Sequence, residues 1–328
     1  MKTQTSGEAI ANNETAWTRL RSLQAPWAWS FAGTVLVWFA IVGIFGFGIA
    51  SNVAQTALTY GVFMVLVGLG QMFVITSGVG NIDLSVPSTI ALAGVVGMHV
   101  MGGENGQILL GVAAALGVGA AIGIVNYLLI RLLRIPPIIA TLSSSFIIQS
   151  IAITQGRQLP PPPPALGAFA TGRLFHVPYI ALLALALSVA LAVLLHRAVY
   201  GRRLSAIGQN ARAAWLAGVN VHPTRCIAYV LCSMIAALTA LLLAATSGGA
   251  SLDMGVEYML ISIAVVVIGG TLVTGGKATI AGVWGASMFL FLTNAALNAV
   301  GADAGVRAIV YGVLIIAVTV AAGGKTAR

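Results

Sequence analysis

The charges in this chain are few and widely spaced, and the lengths between them dictate the fold. From Arg21 to Asp83 run 61 residues without Asp, Glu, Lys or Arg. Eight further gaps follow: Asp83 to Glu104, Glu104 to Arg131, Arg134 to Arg157, Arg173 to Arg197, Arg225 to Asp253, Glu257 to Lys277, Lys277 to Asp303 and Arg307 to Lys325. A membrane-crossing helix needs about 20 mostly apolar residues, and a charge at its centre costs about 2.5–3.5 kcal/mol on insertion. Each gap fits one such helix. The first fits two, joined by the polar run Ser51-Asn52-Val53-Ala54-Gln55-Thr56. This predicts an all-α polytopic membrane bundle of about ten transmembrane helices. Composition agrees, because only 7% of residues are charged against roughly 25% in soluble domains.

The net charge of +9 does not point to nucleic acid, because its distribution follows the membrane. With the N-terminus inside and the spans alternating, 13 of the 16 Lys and Arg fall on the cytoplasmic side. Only Arg157, Arg173 and Arg307 fall outside. This positive-inside bias supports ten spans with both termini cytoplasmic. The third and last spans are short and carry glycine, so re-entrant pieces would also fit there. Residues 1–25 read as a cytoplasmic tail, 26–323 as one transmembrane body and 324–328 as a second tail. Trp27 to Ala50 exceeds the 7–15 residues of a signal h-region and reads as a retained span.

Two loops stand out. The external one, about 155–177, holds Pro160 to Pro164, a stiff extended run that reads as a spacer. The internal one, about 197–225, is the most basic segment. Within it Leu204 to Leu216 can form a short helix that Gly218 would terminate. Such a helix either lies on the membrane surface or docks a partner. Gly119 and Gly123 read as a close helix crossing. Cys226 and Cys232 read as small apolar fillers, too poorly placed on one helix for a bridge.

Chemistry-bearing motifs are scarce. Gly323-Gly324-Lys325-Thr326 and Gly275-Gly276-Lys277 lack the first glycine and the strand context of a phosphate loop, so the chain is not expected to hydrolyse ATP. No HExxH, GxSxG or metal-ligand spacing occurs, and no cofactor or metal is expected. The informative stretch is Gly78 to Ser88, with two glycines, Asn81, Asp83, Ser85 and Pro87 between apolar runs. Pro87 disfavours helix at Val86, so the helical path should break here. Broken backbone at membrane depth needs protein or a water-filled cavity around it. The alternative is a polar turn between spans, with Asp83 at a helix N-terminus and Ser85 as its cap.

Gly80-Asn81-Ile82-Asp83-Leu84-Ser85-Val86 resembles the GGIDLSVG signature of ribose-type sugar ABC permeases. Ile135 to Leu142 (IPPIIATL) resembles the family's IPPFIATL, followed by Gly156-Arg157 at its external turn. Ala206 to Gly218 is similar to its AxGxNxxAAxxxG loop. Ile268 to Lys277 resembles its GGTSLxGGKG stretch, and Leu292 to Gly301 its LNNGLNLLG segment. The likeness covers roughly residues 60–320, in the same order throughout. Asn81, Pro87 and Tyr127 depart from the pattern, so ribose itself is not carried over.

The resemblance implies a binding-protein-dependent importer subunit in the bacterial inner membrane. Its expected partners are a cytoplasmic ABC ATPase, a periplasmic solute-binding protein and a second permease copy or paralogue. The implied docking element contains Arg203, Ala206, Gly208, Asn210, Arg212, Ala213, Ala214 and Gly218. For a hydroxyl-rich solute, the polar candidates along the path are Gln71, Asn81, Asp83, Ser85, Asn126, Asn294 and Asn298. Each has an alternative as an interhelical hydrogen bond, worth about 0.6–2 kcal/mol. Competing readings are an ion-coupled secondary transporter working through Asp83, and an ABC permease for branched-chain amino acids or nucleosides.

Overall fold

The computed structural model of the protein describes residues 27–303 and parts of 305–316. The predicted tails 1–25 and 324–328 lie outside the described residues, as does part of the tenth span. The helices are α1 (Ala28–Phe45), α2 (Phe47–Thr56), α3 (Val62–Thr76), α4 (Val86–Met101), α5 (Ile108–Leu132), α6 (Pro137–Gln155) and α7 (Pro164–Thr171). Then come α8 (Tyr179–His196), α9 (Val199–Gln209), α10 (Ala211–Leu216), α11 (Val221–Ser247), α12 (Tyr258–Ile268) and α13 (Ile280–Ala299). Two-residue strands, β1 (Arg173–Leu174) and β2 (Val177–Pro178), pair antiparallel.

Seven helical stretches are long and apolar enough to cross a membrane. Helices α4, α12 and Gly305–Leu314 are shorter apolar helices in the remaining three gaps. The shortness expected of the third span is present, with 16 residues in α4. The eighth span is shorter still, because α12 has only 11 residues, about 17 Å of helix. Charge spacing counted the residues between Glu257 and Lys277 as one helix. Gly270, Gly275 and Gly276 adopt left-handed backbone instead, which ends the helix and leaves residues 269–279 as a folded loop.

The centre of the bundle is α3. Every one of its residues is buried, as befits a helix apolar on all sides. It packs on α11, α12, α13 and α8. A π-turn at Ala57–Gly61 joins it to α2 in a stretch from Phe47 to Thr76. Helix α11 is the second hub and packs on α5, α3 and α4. The α5–α11 crossing is close because Gly119 and Gly123 face it. A Cβ at Gly119 would lie 2.6 Å from the Ser233 carbonyl, and one at Gly123 2.6 Å from Val230 Cα. Cys226 and Cys232 are free thiols.

Loop contacts sort the two ends of the bundle. At one end the Gly276 amide donates to the Thr76 carbonyl at 2.9 Å, and Arg225 Nε donates to the Ser77 carbonyl at 3.2 Å. At the other, Ala165 N donates to Asn105 Oδ1, Gln149 Nε2 to the Leu252 carbonyl and Arg173 to Gln55. Loops expected inside meet one another, and loops expected outside do the same.

The long loops are more structured than expected. Pro164 does not continue the extended run but opens α7, where its missing N–H would have no helical partner anyway. The internal segment is two helices rather than one over Leu204–Leu216. The helical path breaks at Asn210, whose backbone is extended and whose side chain accepts from the Ala213 amide at 3.0 Å. That cap satisfies a donor only a new helix start exposes. Gly218, at φ +81°, ends α10 as expected, with the Val219 amide reaching back to the Ala214 carbonyl.

Candidate functional site

Two of the motif blocks and helix α5 converge on one buried polar cluster. Helix α3 stops at Thr76, and α4 begins at Val86 with Pro87 in its first turn. Between them Asp83 is 1% exposed and Asn81 6%. Asp83 Oδ1 accepts from the Ser85 amide at 2.9 Å and from Ser85 Oγ at 2.6 Å. Asn126 of α5 donates through Nδ2 to Ser85 Oγ at 2.7 Å, and its Oδ1 accepts from Ser144 of α6. Thr141 of α6 closes the ring. Its Oγ1 accepts from the Leu84 amide at 3.0 Å and donates to the Ile82 carbonyl. Ser85 is thus the residue before α4, as its expected capping role requires, yet its hydroxyl serves Asp83 and Asn126 and no amide of α4.

A second layer lies beside the first. Tyr229 of α11 donates to Asn81 Oδ1 at 3.4 Å, and Cys232 Sγ lies 3.6 Å from Gln71 Oε1. Asp83 Oδ2 and Gln71 Nε2 have no hydrogen-bond partner among the described residues. Buried polar groups without partners cost about 1–3 kcal/mol each. The fully hydrogen-bonded oxygen of Asp83 therefore contributes more to the fold than its second oxygen.

Below this cluster, three separate segments touch backbone to backbone. Gly208 at the end of α9 is so close to the α3 terminus that a Cβ would overlap the Thr76 carbonyl and the Gly276 amide. A Cβ at Gly275 would lie 2.7 Å from Gly78 Cα. These glycines serve close approach, the use a missing side chain best permits. Tyr200 of α9 stacks on Phe73 of α3, with ring centroids 6.3 Å apart. Burial pushes its phenol well above the ordinary range, with Cys226 nearby adding to the effect.

Of the residues singled out in the sequence, Asn81, Asp83, Ser85 and Asn126 come together, and Gln71 lies on the central helix nearby. Asn294 and Asn298 do not join them. They sit in the last turns of α13, with Asn298 Nδ2 3.5 Å from Asn294 Oδ1, at the opposite end of that helix from the Gly269–Thr279 loop. Of the docking residues, Arg203, Asn210, Arg212, Ala213 and Gly218 are exposed, Ala206 is half-buried, and Gly208 and Ala214 are buried. Sequence reasoning missed Thr141 and Ser144, whose signal was a hydroxyl pair three residues apart beside the IPPIIATL block. It also missed Trp215 and Leu216, which are 61% and 71% exposed on α10.

Residues 53–319 match the model of the family described as the branched-chain amino acid transport system permease component. The chain belongs to this permease family. The permease is 34% identical to the ribose import permease protein RbsC of Escherichia coli over 251 residues, 75% of its own length and 77% of RbsC. It is 31% identical to the L-arabinose transport system permease protein AraH of Escherichia coli over 259 residues, 78% of its length and 77% of AraH. It is 29% identical to the autoinducer 2 import system permease protein LsrD of Photorhabdus laumondii over 304 residues, 88% of its length and 90% of LsrD. No solved structure matches it. The permease is accordingly a multi-pass inner-membrane subunit of an ABC importer, a class of system that includes an ATPase and a periplasmic binding protein.

Proposed function

We propose that the permease carries a sugar-like solute across the inner membrane, driven by ATP hydrolysed on a separate subunit docked against α9 and α10. The observation that carries this reading is the exposure of Trp215 and Leu216 on a two-turn helix at the basic end of the bundle. Large apolar side chains displayed beside Arg203 and Arg212 suit a protein partner, where buried aromatics act as anchors. The opposite side of α10 holds Ala214 buried, so the exposed face is held at a fixed angle. The chain's part in this reading is the conduit and the lever's socket, with ATP bound by the partner and no cofactor of its own.

The cargo class rests on the relatives, whose names speak of ribose, L-arabinose and autoinducer 2 import. The buried polar set also suits a neutral cargo. Asn81, Ser85, Asn126 and Thr141 offer hydrogen bonds without net charge, and Asp83 is engaged by Ser85. A second copy or a paralogue completes the membrane unit, and a solute-binding protein meets the end that carries α7 and the β1–β2 hairpin.

The experiment is ATP-dependent uptake of labelled ribose and L-arabinose into vesicles holding the full importer, with the ATPase quantified in the purified complex. Uptake and near-equal ATPase recovery, both lost in Trp215→Ala/Leu216→Ala, are the expected results. Uptake that follows an ion gradient without ATP would overturn the reading and return attention to Asp83.

A further inference from the structure

We infer that the groove between the start of α1, the second half of α8 and the start of α13 binds an anionic phospholipid of the cytoplasmic leaflet. Its acyl chain lies along α8, and its phosphate meets Arg197 and Lys277. The inference does not depend on which solute the permease carries.

The groove has the dimensions of a lipid chain. A cavity of about 580 Å³ opens on the side of the bundle, walled by Trp27 and Phe31, by Leu185, Val189 and Ala192 of α8, and by Trp284 of α13. It is preformed, because α1 and α13 touch closely behind it. A Cβ at Gly285 would overlap Ser30 and Phe31, and Thr34 Oγ1 donates to the Gly285 carbonyl at 3.0 Å. Trp27 meets Phe31 edge to face, with centroids 5.8 Å apart. On α8 the groove runs from Leu185 to His196, about 16 Å of helix. Half of a hydrocarbon core is about 15 Å thick. The groove therefore has the depth of one leaflet, and its mouth is where α8 ends and α1 and α13 begin.

The walls offer hydrocarbon and no free hydrogen-bonding group below the mouth. Ser188 Oγ accepts from Trp284 Nε1 at 2.8 Å and donates to the Ala184 carbonyl at 2.7 Å. Thr279 Oγ1 donates to the Gly269 carbonyl. A hydroxyl-rich solute would gain nothing here, and an alkyl chain loses nothing. Leu185 and Val189 are 52% and 57% exposed, so the groove is open to the bilayer. Trp27 stands at its mouth, the level that indole rings favour at a membrane surface.

The charge around the mouth is the independent observation. His196 lines it, and the exposed Arg197 and Lys277 are the chain neighbours of the lining residues His196 and Ala278. Arg202 donates to the Arg197 carbonyl at 3.0 Å, which brings a further guanidinium beside it. Among the described residues no exposed carboxylate shares this end of the bundle. Glu104, Asp253, Glu257 and Asp303 are in loops at the other end, and Asp83 is buried and bonded to Ser85. Cations without counter-charge above an apolar groove complement a phosphate carried on an acyl chain, as basic pockets between membrane helices do. A zwitterionic headgroup would bring its own cation to the same place. A second copy of the chain, sharing the membrane orientation, would present these same cations at this level and repel.

The test is contact quenching. The full chain with its partner subunits is reconstituted in phosphatidylcholine vesicles carrying increasing fractions of brominated phosphatidylglycerol or brominated phosphatidylcholine. Bromine on an acyl chain quenches the indoles it touches. Half-quenching is expected at a roughly tenfold lower fraction of the phosphatidylglycerol, given two cations at the phosphate. Arg197→Gln/Lys277→Gln is expected to remove that preference, and both side chains are exposed, so the fold does not rely on them. Trp284→Phe is expected to remove the selective part of the signal, which assigns it to the groove. Equal quenching of the parent chain by the two lipids would mean ordinary boundary lipid and would overturn the inference. A preference that survives either variant would place the anionic lipid elsewhere and also overturn it. Quenching by neither lipid at Trp284 would show the groove covered by protein, with the same consequence.

Discussion

The Gly276 amide donates to the Thr76 carbonyl at 2.9 Å, joining two loops that lie two hundred residues apart in the chain. The bond replaces one that the end of α3 cannot make within its own helix. Gly208 sits against both partners, so the end of α9 and two interhelical loops form one contact.

Gly208→Ala is expected to destabilise the permease by about 1–3 kcal/mol, the range for overpacking a tight interior. The obstructing atoms are backbone and cannot rotate away. Gly218→Ala is the comparison, because its Cβ would meet open space and its cost is only the left-handed backbone, about 1–2 kcal/mol. Thermal unfolding in mild detergent measures both. Loss of ATP-coupled uptake is expected for Gly208→Ala even where folded protein is recovered.

At Asp83 the two substitutions should separate. Asp83→Asn keeps an oxygen to accept from the Ser85 amide and hydroxyl, so folded yield and uptake are expected to persist. Asp83→Ala leaves those buried donors unpaired and should cost about 1–3 kcal/mol per lost partner. Uptake and yield measured side by side check this. Abolished uptake in well-folded Asp83→Asn would instead indicate a titrating carboxylate.

Asn126→Leu removes the donor to Ser85 and the acceptor for Ser144 together. A loss of about 1–3 kcal/mol is expected for each stranded group, read as a lowered melting temperature. Ser144→Ala should be milder, since its hydroxyl also bonds the Thr141 carbonyl within its own helix.

Trp215→Ala should leave the fold intact, because the ring lies mostly outside it. ATPase recovery in the purified complex is expected to fall about thirtyfold or more, matching roughly 2 kcal/mol for an anchoring aromatic. Equal ATPase recovery with the parent chain would move the docking surface elsewhere.

The side assignment is checked by labelling. Val79 and Phe175 are 77% and 90% exposed at opposite ends of the bundle. Phe175→Cys is expected to react with an impermeant reagent in spheroplasts, and Val79→Cys only in inside-out vesicles.

Much of this fold is legible in the sequence because lipid imposes one severe rule. Charges mark where helices stop, so Asp83, Arg134, Arg197 and Lys277 announced the turns around them. The break at Gly78 to Ser88 was visible for the same reason, since proline and glycine have few other uses there. What the spacing of charges does not encode is depth. Asp83 lies in a loop yet is buried, because Ser85 two residues on and Asn126 from α5 both bring hydrogen bonds to it. Asn294 and Asn298 resemble Asn126 in type, and only the direction of α13 separates them from the cluster. The break at Asn210 was hidden because its side chain caps a new helix in a run that otherwise reads as continuous.

The contact at Gly208 also fixes how far a disturbance must travel. A side chain between packed segments can absorb motion by changing rotamer, as a spring absorbs a push. At Gly208 there is none, and α9 meets Thr76 and Gly276 through bare backbone. If a partner docks on α10 as proposed, a displacement there would meet the foot of the central helix through backbone alone, with no side chain at Gly208 to give way.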